Sequence, residues 1–370
     1  MRRPSGASPL LLAGVLLLAA CSGNTNSSGP AAPLPTGQTG SIAALSNPGN
    51  CYISDPGTAC STPYKGTNSV TALATGVSGT THTIYVGDSA GNLSAATVSS
   101  TTPPTTIQTC TAPGAKILAM ASNGTTLLYA TSGGISSSSC TSTSAGTNNS
   151  VTPSITTASG LTYNASAGEF VGVTSNATSF TCTTASCTTP APLSSLLDTS
   201  PNITAIASDP TQPIVYILSI GSSTNRIYSY YVSGSTLTYL GNYSGTELNY
   251  PAGIALFQGA NPTQNSCTSG SCTFMDVTNT GNATVTQYVL TYSGSGAQTS
   301  VSINQFNNAY FDCDLINSAA IAAFPTGTNN LLPQPDLFVG EQGTSYGSCM
   351  GTSSTLSYGN NVTAYTVTGE

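Results

Sequence analysis

Charge is what this chain has least of. Only 5% of its 370 residues are Asp, Glu, Lys or Arg, against ~25% in an average soluble domain. Lys+Arg total 5, and two of those stand at positions 2 and 3. A face that neutralises nucleic-acid phosphates needs many cations, so nucleic-acid binding is excluded. There is one His and no Trp, which removes most of the usual acid–base repertoire and disfavours an ordinary cytosolic enzyme. No Gly-rich phosphate loop, metalloprotease helix motif or nucleophile constellation occurs. What fills the space is Gly 38, Pro 22 and abundant Ser and Thr, a composition of turns and strands rather than helices.

The scarcity of charge has a consequence for pH. Acid unfolds proteins largely by protonating carboxylates that are paired in the folded state. Twelve Asp+Glu facing five Lys+Arg leave few such pairs to lose. The sequence therefore suits acidic or otherwise harsh surroundings, unless the composition is simply a Ser/Thr-rich secreted style.

The N-terminus reads as an export signal. Arg2 and Arg3 precede a leucine-rich run over 10–18, too short to span a bilayer, ending Leu18-Ala19-Ala20-Cys21. This order resembles the lipobox of bacterial lipoproteins, which implies acylation of Cys21. An ordinary secretory signal is the plainer alternative. Ser22 after the Cys implies sorting to the outer membrane, on its periplasmic face or at the cell surface. The acyl chains would then be the only membrane contact. We read 1–20 as signal peptide, 21–40 (SGNTNSSGPAAPLPTGQTG after the Cys) as a flexible tether, and 41–370 as one domain.

Setting Cys21 aside leaves ten of the 11 Cys, an even number that suits disulfides in an exported chain. Proximity pairs Cys51 with Cys60, Cys110 with Cys140, Cys182 with Cys187, Cys267 with Cys272, and Cys313 with Cys349. Neither of the two closely spaced pairs has a nearby His, which argues against zinc.

An internal repeat organises the domain. VTALA, ILAMA, GLTYN, ITAIA, PAGIA and SAAIA begin at 70, 117, 160, 203, 251 and 318. A second apolar strand follows each: TIYVGD, LLYATS, EFVGVTS, IVYILS, TFMDVTN and DLFVGE. Third strands (NLSAATV, RIYSYYV, ATVTQYVLTY, NVTAYTV) and fourth ones (TLTYLG, QTSVSI) are visible in some units. About four strands per ~45 residues is the signature of a β-propeller. The expected fold is all-β and six-bladed, with seven blades or a sandwich as alternatives. The last unit stops after its third strand, so residues 41–45, or else Tyr52 and Ile53, are expected to supply the missing outer strand and close the ring.

RIYSYYVSGSTLTYLGNYSGTELNYPAGIAL over 226–256 and IYVGDSAGNLSAATV over 84–98 resemble the YVTN-repeat and lactonase-type propellers. The resemblance implies the scaffold. That family includes sugar-lactone hydrolases whose sites use His, Arg and acidic groups, a pattern this chain does not carry. Its cations beyond the signal are Lys65, Lys116 and Arg226, and its one His, His82, is expected in a surface hairpin on the bottom face. Arg226 opens a third strand and is expected on the upper rim.

Asp88, Ser132, Thr174, Ser219, Asn279 and Glu341 end successive second strands, which places them on one rim. Asp88 and Glu341, with Asn317, form the candidate ligand-binding group, and they carry donors that suit Ca²⁺. Solvated loop carboxylates are the simpler reading, and no other cofactor is implied. Asp312 and Asp314 flank Cys313 as a possible acid/base pair or as exposed loop acids. Six tyrosines between 228 and 250 offer an aromatic platform for glycan, though strand packing accounts for most of them. The expected function is a lipid-anchored binding module whose partner is an envelope protein, a glycan or a small ligand. An extracytoplasmic lactonase-like hydrolase and an architectural adhesion protein are the alternatives.

Overall fold

The computed structural model describes residues 41–44, 53–54, 68–98, 104, 106–260, 271–281, 284–311, 320–324, 337–340 and 361–368. Among them there is no α-helix. Two short strands come first, β1 (Ser41–Ala44) and β2 (Ile53–Ser54). Five four-stranded antiparallel sheets follow in chain order. The first holds β3 (Val70–Ser78), β4 (Thr81–Asp88), β5 (Leu93–Val98) and β6 (Gln108–Thr109). The second holds β7 (Ile117–Ser122), β8 (Leu127–Thr131), β9 (Gly134–Ser138) and β10 (Asn148–Ser150). The third holds β11 (Ala158–Asn164), β12 (Glu169–Thr174), β13 (Thr178–Cys182) and β14 (Ala191–Pro192). The fourth holds β15 (Asn202–Ser208), β16 (Ile214–Ile220), β17 (Arg226–Ser233) and β18 (Thr236–Tyr243). The fifth holds β19 (Pro251–Ala260), β20 (Ser271–Asn279), β21 (Thr284–Ser293) and β22 (Ser300–Phe311).

A closing sheet is built from β23 (Ala320–Ala323), β24 (Leu337–Gly340) and β25 (Asn361–Thr368), with β1 paired antiparallel to β25. Ile42 lies opposite Val367. β2 pairs with the other end of β25, Ile53 opposite Val362. The N-terminal residues thus sit beside the C-terminal strand, and both candidate segments take part rather than one of them.

The sheets form a β-propeller. Each apolar cluster of the core is shared by two consecutive sheets. Ile84 and Val86 of the first sheet pack with Phe338 and Val362 of the closing one, so the ring is continuous across the chain ends. The second strands carry the densest burial, because neighbouring sheets cover both of their faces. Ile214–Ser219 is buried throughout, which is why this strand reads as an unbroken β-branched and aromatic run. The first strands line the axis. Their hydroxyls stitch adjacent sheets: Thr71 Oγ1 donates to Ile117 O at 2.6 Å, Thr75 Oγ1 to Ala323 O at 2.6 Å, and Thr204 Oγ1 to Pro251 O at 2.9 Å.

Cys110 and Cys140 are disulfide-bonded, with Cα atoms 5.6 Å apart, as are Cys182 and Cys187, at 4.0 Å. Cys272 is disulfide-bonded as well. Cys51, Cys60, Cys267, Cys313 and Cys349, like Cys21 and the rest of residues 1–40, lie outside the described residues. Cys140 follows β9, a third strand, while Cys110 follows β6, the outermost strand of the sheet before. The bond therefore ties two neighbouring sheets together.

Candidate functional site

Every four-stranded sheet begins its axial strand with the same irregularity. The register of β3 against β4 skips one residue between Val70 and Ala72. The same skip occurs between Ile117 and Ala119, Ala158 and Gly160, Ile203 and Ala205, and Pro251 and Gly253. A bulged residue leaves the ladder and turns its side chain aside. Here the bulged residues are Thr71, Leu118, Ser159, Thr204 and Ala252, and they line the upper mouth of the axial channel.

Leu73, Met120, Leu161, Ile206, Ile254 and Ile321, one from each axial strand, line both the upper and the lower cavity. They are 5–8% exposed and form an apolar waist. The upper cavity holds about 70 Å³ and the lower about 170 Å³. Ligand pockets typically span ~300–1,000 Å³, so each of these two cavities is smaller than a typical one.

Polar side chains at the rims build turns. Asp88 is fully buried. Its Oδ1 accepts from the N–H of Ala90 (2.9 Å) and Asn92 (2.7 Å), and its Oδ2 from Nδ2 of Asn92 (2.7 Å) and Asn68 (3.2 Å). This is a carboxylate closing its own turn, not a solvated one. Thr174 Oγ1 accepts from the N–H of Thr178 (3.3 Å), and Asn279 Oδ1 from that of Asn249 (3.0 Å). Glu341 and Asn317, the proposed companions of Asp88, and Asp312 and Asp314, lie outside the described residues. No group of three or more His, Cys, Asp or Glu stands together among the described residues.

His82 is not a surface hairpin residue. It is 6% exposed, with its ring edge-on to Phe324 at 5.0 Å and Nδ1 3.3 Å from Thr80 O. The aromatic neighbour sits in the closing sheet, 242 positions away in sequence, so local reading gives no signal for its burial. Arg226 opens β17 on the upper face. Its Nε lies 3.8 Å from Asp198 Oδ2 and its guanidinium donates to Asn242 Oδ1 at 3.0 Å.

Tyrosine does the pairing that lysine and arginine do elsewhere. Asp209, fully buried in the turn from β15 to β16, accepts the Tyr292 hydroxyl from the fifth sheet on one oxygen. Its other oxygen takes the N–H of Thr211 (2.8 Å) and Gln212 (2.9 Å) and the Thr211 hydroxyl (2.9 Å). Glu247 accepts from Tyr243 (2.7 Å) and from Tyr288 of the fifth sheet (2.9 Å). Tyr228 donates to Asp198 at 3.2 Å. Burial first, and then the adjoining carboxylates, push the Tyr288, Tyr243 and Tyr228 phenols upward. They stay protonated and donate across the physiological range. These clamps span sheets, and the sequence reading misses them. Its only cue is tyrosines crowded where cations are lacking.

No family model matches this chain, and no curated protein matches it. Among solved structures it is similar to a chain in a crystal structure of the mitotic checkpoint complex. That match has 10% identity and a TM-score of 0.47, over 83% of this chain and 79% of the other.

Asp209 carries a pH signature. Burial raises its carboxyl above the usual 3.8, and the Tyr292 phenol and the turn donors pull it back in part. A raised folded-state value means the folded chain binds the proton at higher pH than the unfolded chain does. Stability is therefore gained as pH falls through the folded value, and the gain is complete below the unfolded one. Thermal melts are expected to show a higher midpoint at about pH 4 than at about pH 7. In Asp209→Asn, where the side-chain oxygen keeps the turn bonds, that slope should flatten. An unchanged slope in the variant would assign it to other groups.

Proposed function

We propose that the chain is a lipid-anchored, disulfide-stapled propeller of six blades at the bacterial cell envelope, and that it works as a binding module. The observation that supports this most is the waist. Six apolar side chains line the axis between the two cavities, both of which fall below the usual size of a ligand pocket. A partner then has to be met on the outer faces. The carboxylates point the same way: Asp88, Asp198, Asp209 and Glu247 are engaged within the fold and not poised over an open cleft. Counting the closing sheet as one blade gives six, and the pairing of β1 with β25 supplies its outer edge.

Two measurements test the reading. Metabolic labelling with a fatty-acid probe should mark the protein, and Cys21→Ser should abolish the label and release the chain from the membrane fraction. Labelling that persists in the variant would end the anchored reading. Purified protein should leave simple lactones unhydrolysed. Turnover that Asp88→Asn removes would replace the binding module with a hydrolase.

A further inference from the structure

Two large apolar side chains among the described residues stand out into solvent, Leu197 at 58% and Tyr250 at 60% exposure. Both lie in connections leading into an axial strand, so both are on the upper face. They flank one short loop. Asp198, next to Leu197, reaches that loop at Gly221, where an added Cβ would meet its Oδ1 at 2.6 Å. On the other side Asn225 Nδ2 donates to Leu248 O at 2.8 Å. The segments at 197–198, 221–226 and 248–250 are therefore linked in series on the upper face, and Tyr250 stands two residues before Ala252, which lines the channel mouth.

Tyr250 is fixed there. Its backbone has φ +50°, a conformation L side chains rarely adopt. The strain is held by Thr280, whose N–H (3.1 Å) and hydroxyl (3.0 Å) both donate to Tyr250 O, and by the Gly281 N–H on Asn249 O at 3.1 Å. The Cδ2 edge of the ring comes close to Gly281, where an added Cβ would lie 2.8 Å from it. The ring thus rests in part against that turn while much of the side chain is open to water. Around it stand amides and hydroxyls. The one cation of the patch, Arg226, is already engaged by Asp198 and Asn242.

We propose that this patch binds a neutral glycan, one sugar ring stacking on Tyr250 with Leu197 covering a neighbouring unit. The chemistry favours this ligand class. A rigid, half-open aromatic face offers apolar contact without an ordering cost. Uncharged donors and acceptors beside it suit sugar hydroxyls. An acidic polymer would find its only counter-charge taken. The inference rests on the binding-module reading and gives it a site.

The test uses the full-length protein and a panel of neutral oligosaccharides, followed by saturation-transfer NMR and calorimetry. At least one should bind. Tyr250→Gly removes the ring at a backbone angle that glycine accepts freely, so the melting temperature should hold while affinity falls about tenfold or more. Tyr250→Phe should stay within about twofold, because the stacking face is kept. Binding that survives Tyr250→Gly overturns the site. A photo-reactive residue at Leu197 separates the two levels. No saccharide binding but a cross-linked envelope protein overturns the glycan and leaves the module standing. Neither saccharide nor cross-link overturns both.

Discussion

Replacing Cys110 and Cys140 together by serine should lower the unfolding free energy by roughly 3–4 kcal/mol, the chain-entropy value for a loop of this size. The bond closes a separation of 30 residues. The Cys182–Cys187 bond closes only 5, for which the same relation gives roughly 2 kcal/mol. The larger bond also holds a weak edge. β6 is two residues long, and what extends it is Cys110 N–H on Leu93 O (2.9 Å), Thr111 N–H on Ala145 O (3.0 Å) and Asn148 Nδ2 on Thr111 O (2.9 Å). Without the staple these contacts fray and the first two sheets lose their peripheral tie. Urea titration of the double variant should give a midpoint below that of the oxidised wild type, and the reduced wild type, which loses the other bonds as well, should give a lower one still. Equal stability with and without the bond would show that the sheet packing alone suffices.

The second large effect is expected at the joints of the ring. Gly87 in β4 faces Ile117 of the next sheet, where an added Cβ would sit 2.9 Å from its Cδ1. Gly340 in β24 faces Val70 of the first sheet in the same way, at 2.5 Å from Cγ1. The seam between the chain's last and first sheets thus repeats the packing of an ordinary internal joint. Gly340→Val and Gly87→Val force a branched side chain into an occupied space, at a cost of about 3 kcal/mol each. Gly79→Ala is the control. Its φ is +58° but nothing lies within 4 Å, so only the backbone penalty of about 1 kcal/mol applies. Denaturant curves distinguish the cases. A Gly340→Val protein as stable as wild type would mean that the seam is not packed like the internal joints.

The elements legible in the sequence are those buried on both sides. TIYVGD, IVYILS and TFMDVTN announce themselves because neighbouring sheets cover both faces and favour apolar side chains at most positions. The missing outer strand of the last unit is legible by counting, and β1 supplies it. The outer strands of the first three sheets are not. QT, NNS and AP are short and largely exposed, since their far side faces water, and serine-rich GISSS has no alternation at all. At the site, the rim position of Asp88 follows from its place at a strand end. Its burial does not, because the partners that satisfy it are backbone N–H groups and asparagine amides common to any loop. Likewise nothing local ties Asp209 to Tyr292, 83 positions on.

The extra residue that opens each axial strand has one more implication. Because it stands outside the hydrogen-bonded ladder, its side chain can change without breaking the ladder, and only at Thr71 and Thr204 does it carry a hydroxyl bond to the next sheet. The protein already exercises that freedom on itself, placing threonine, leucine, serine, threonine and alanine at five equivalent positions of the lip. The leucine, serine and alanine positions of the opening are thus free to vary, while the two threonines also tie one sheet to the next.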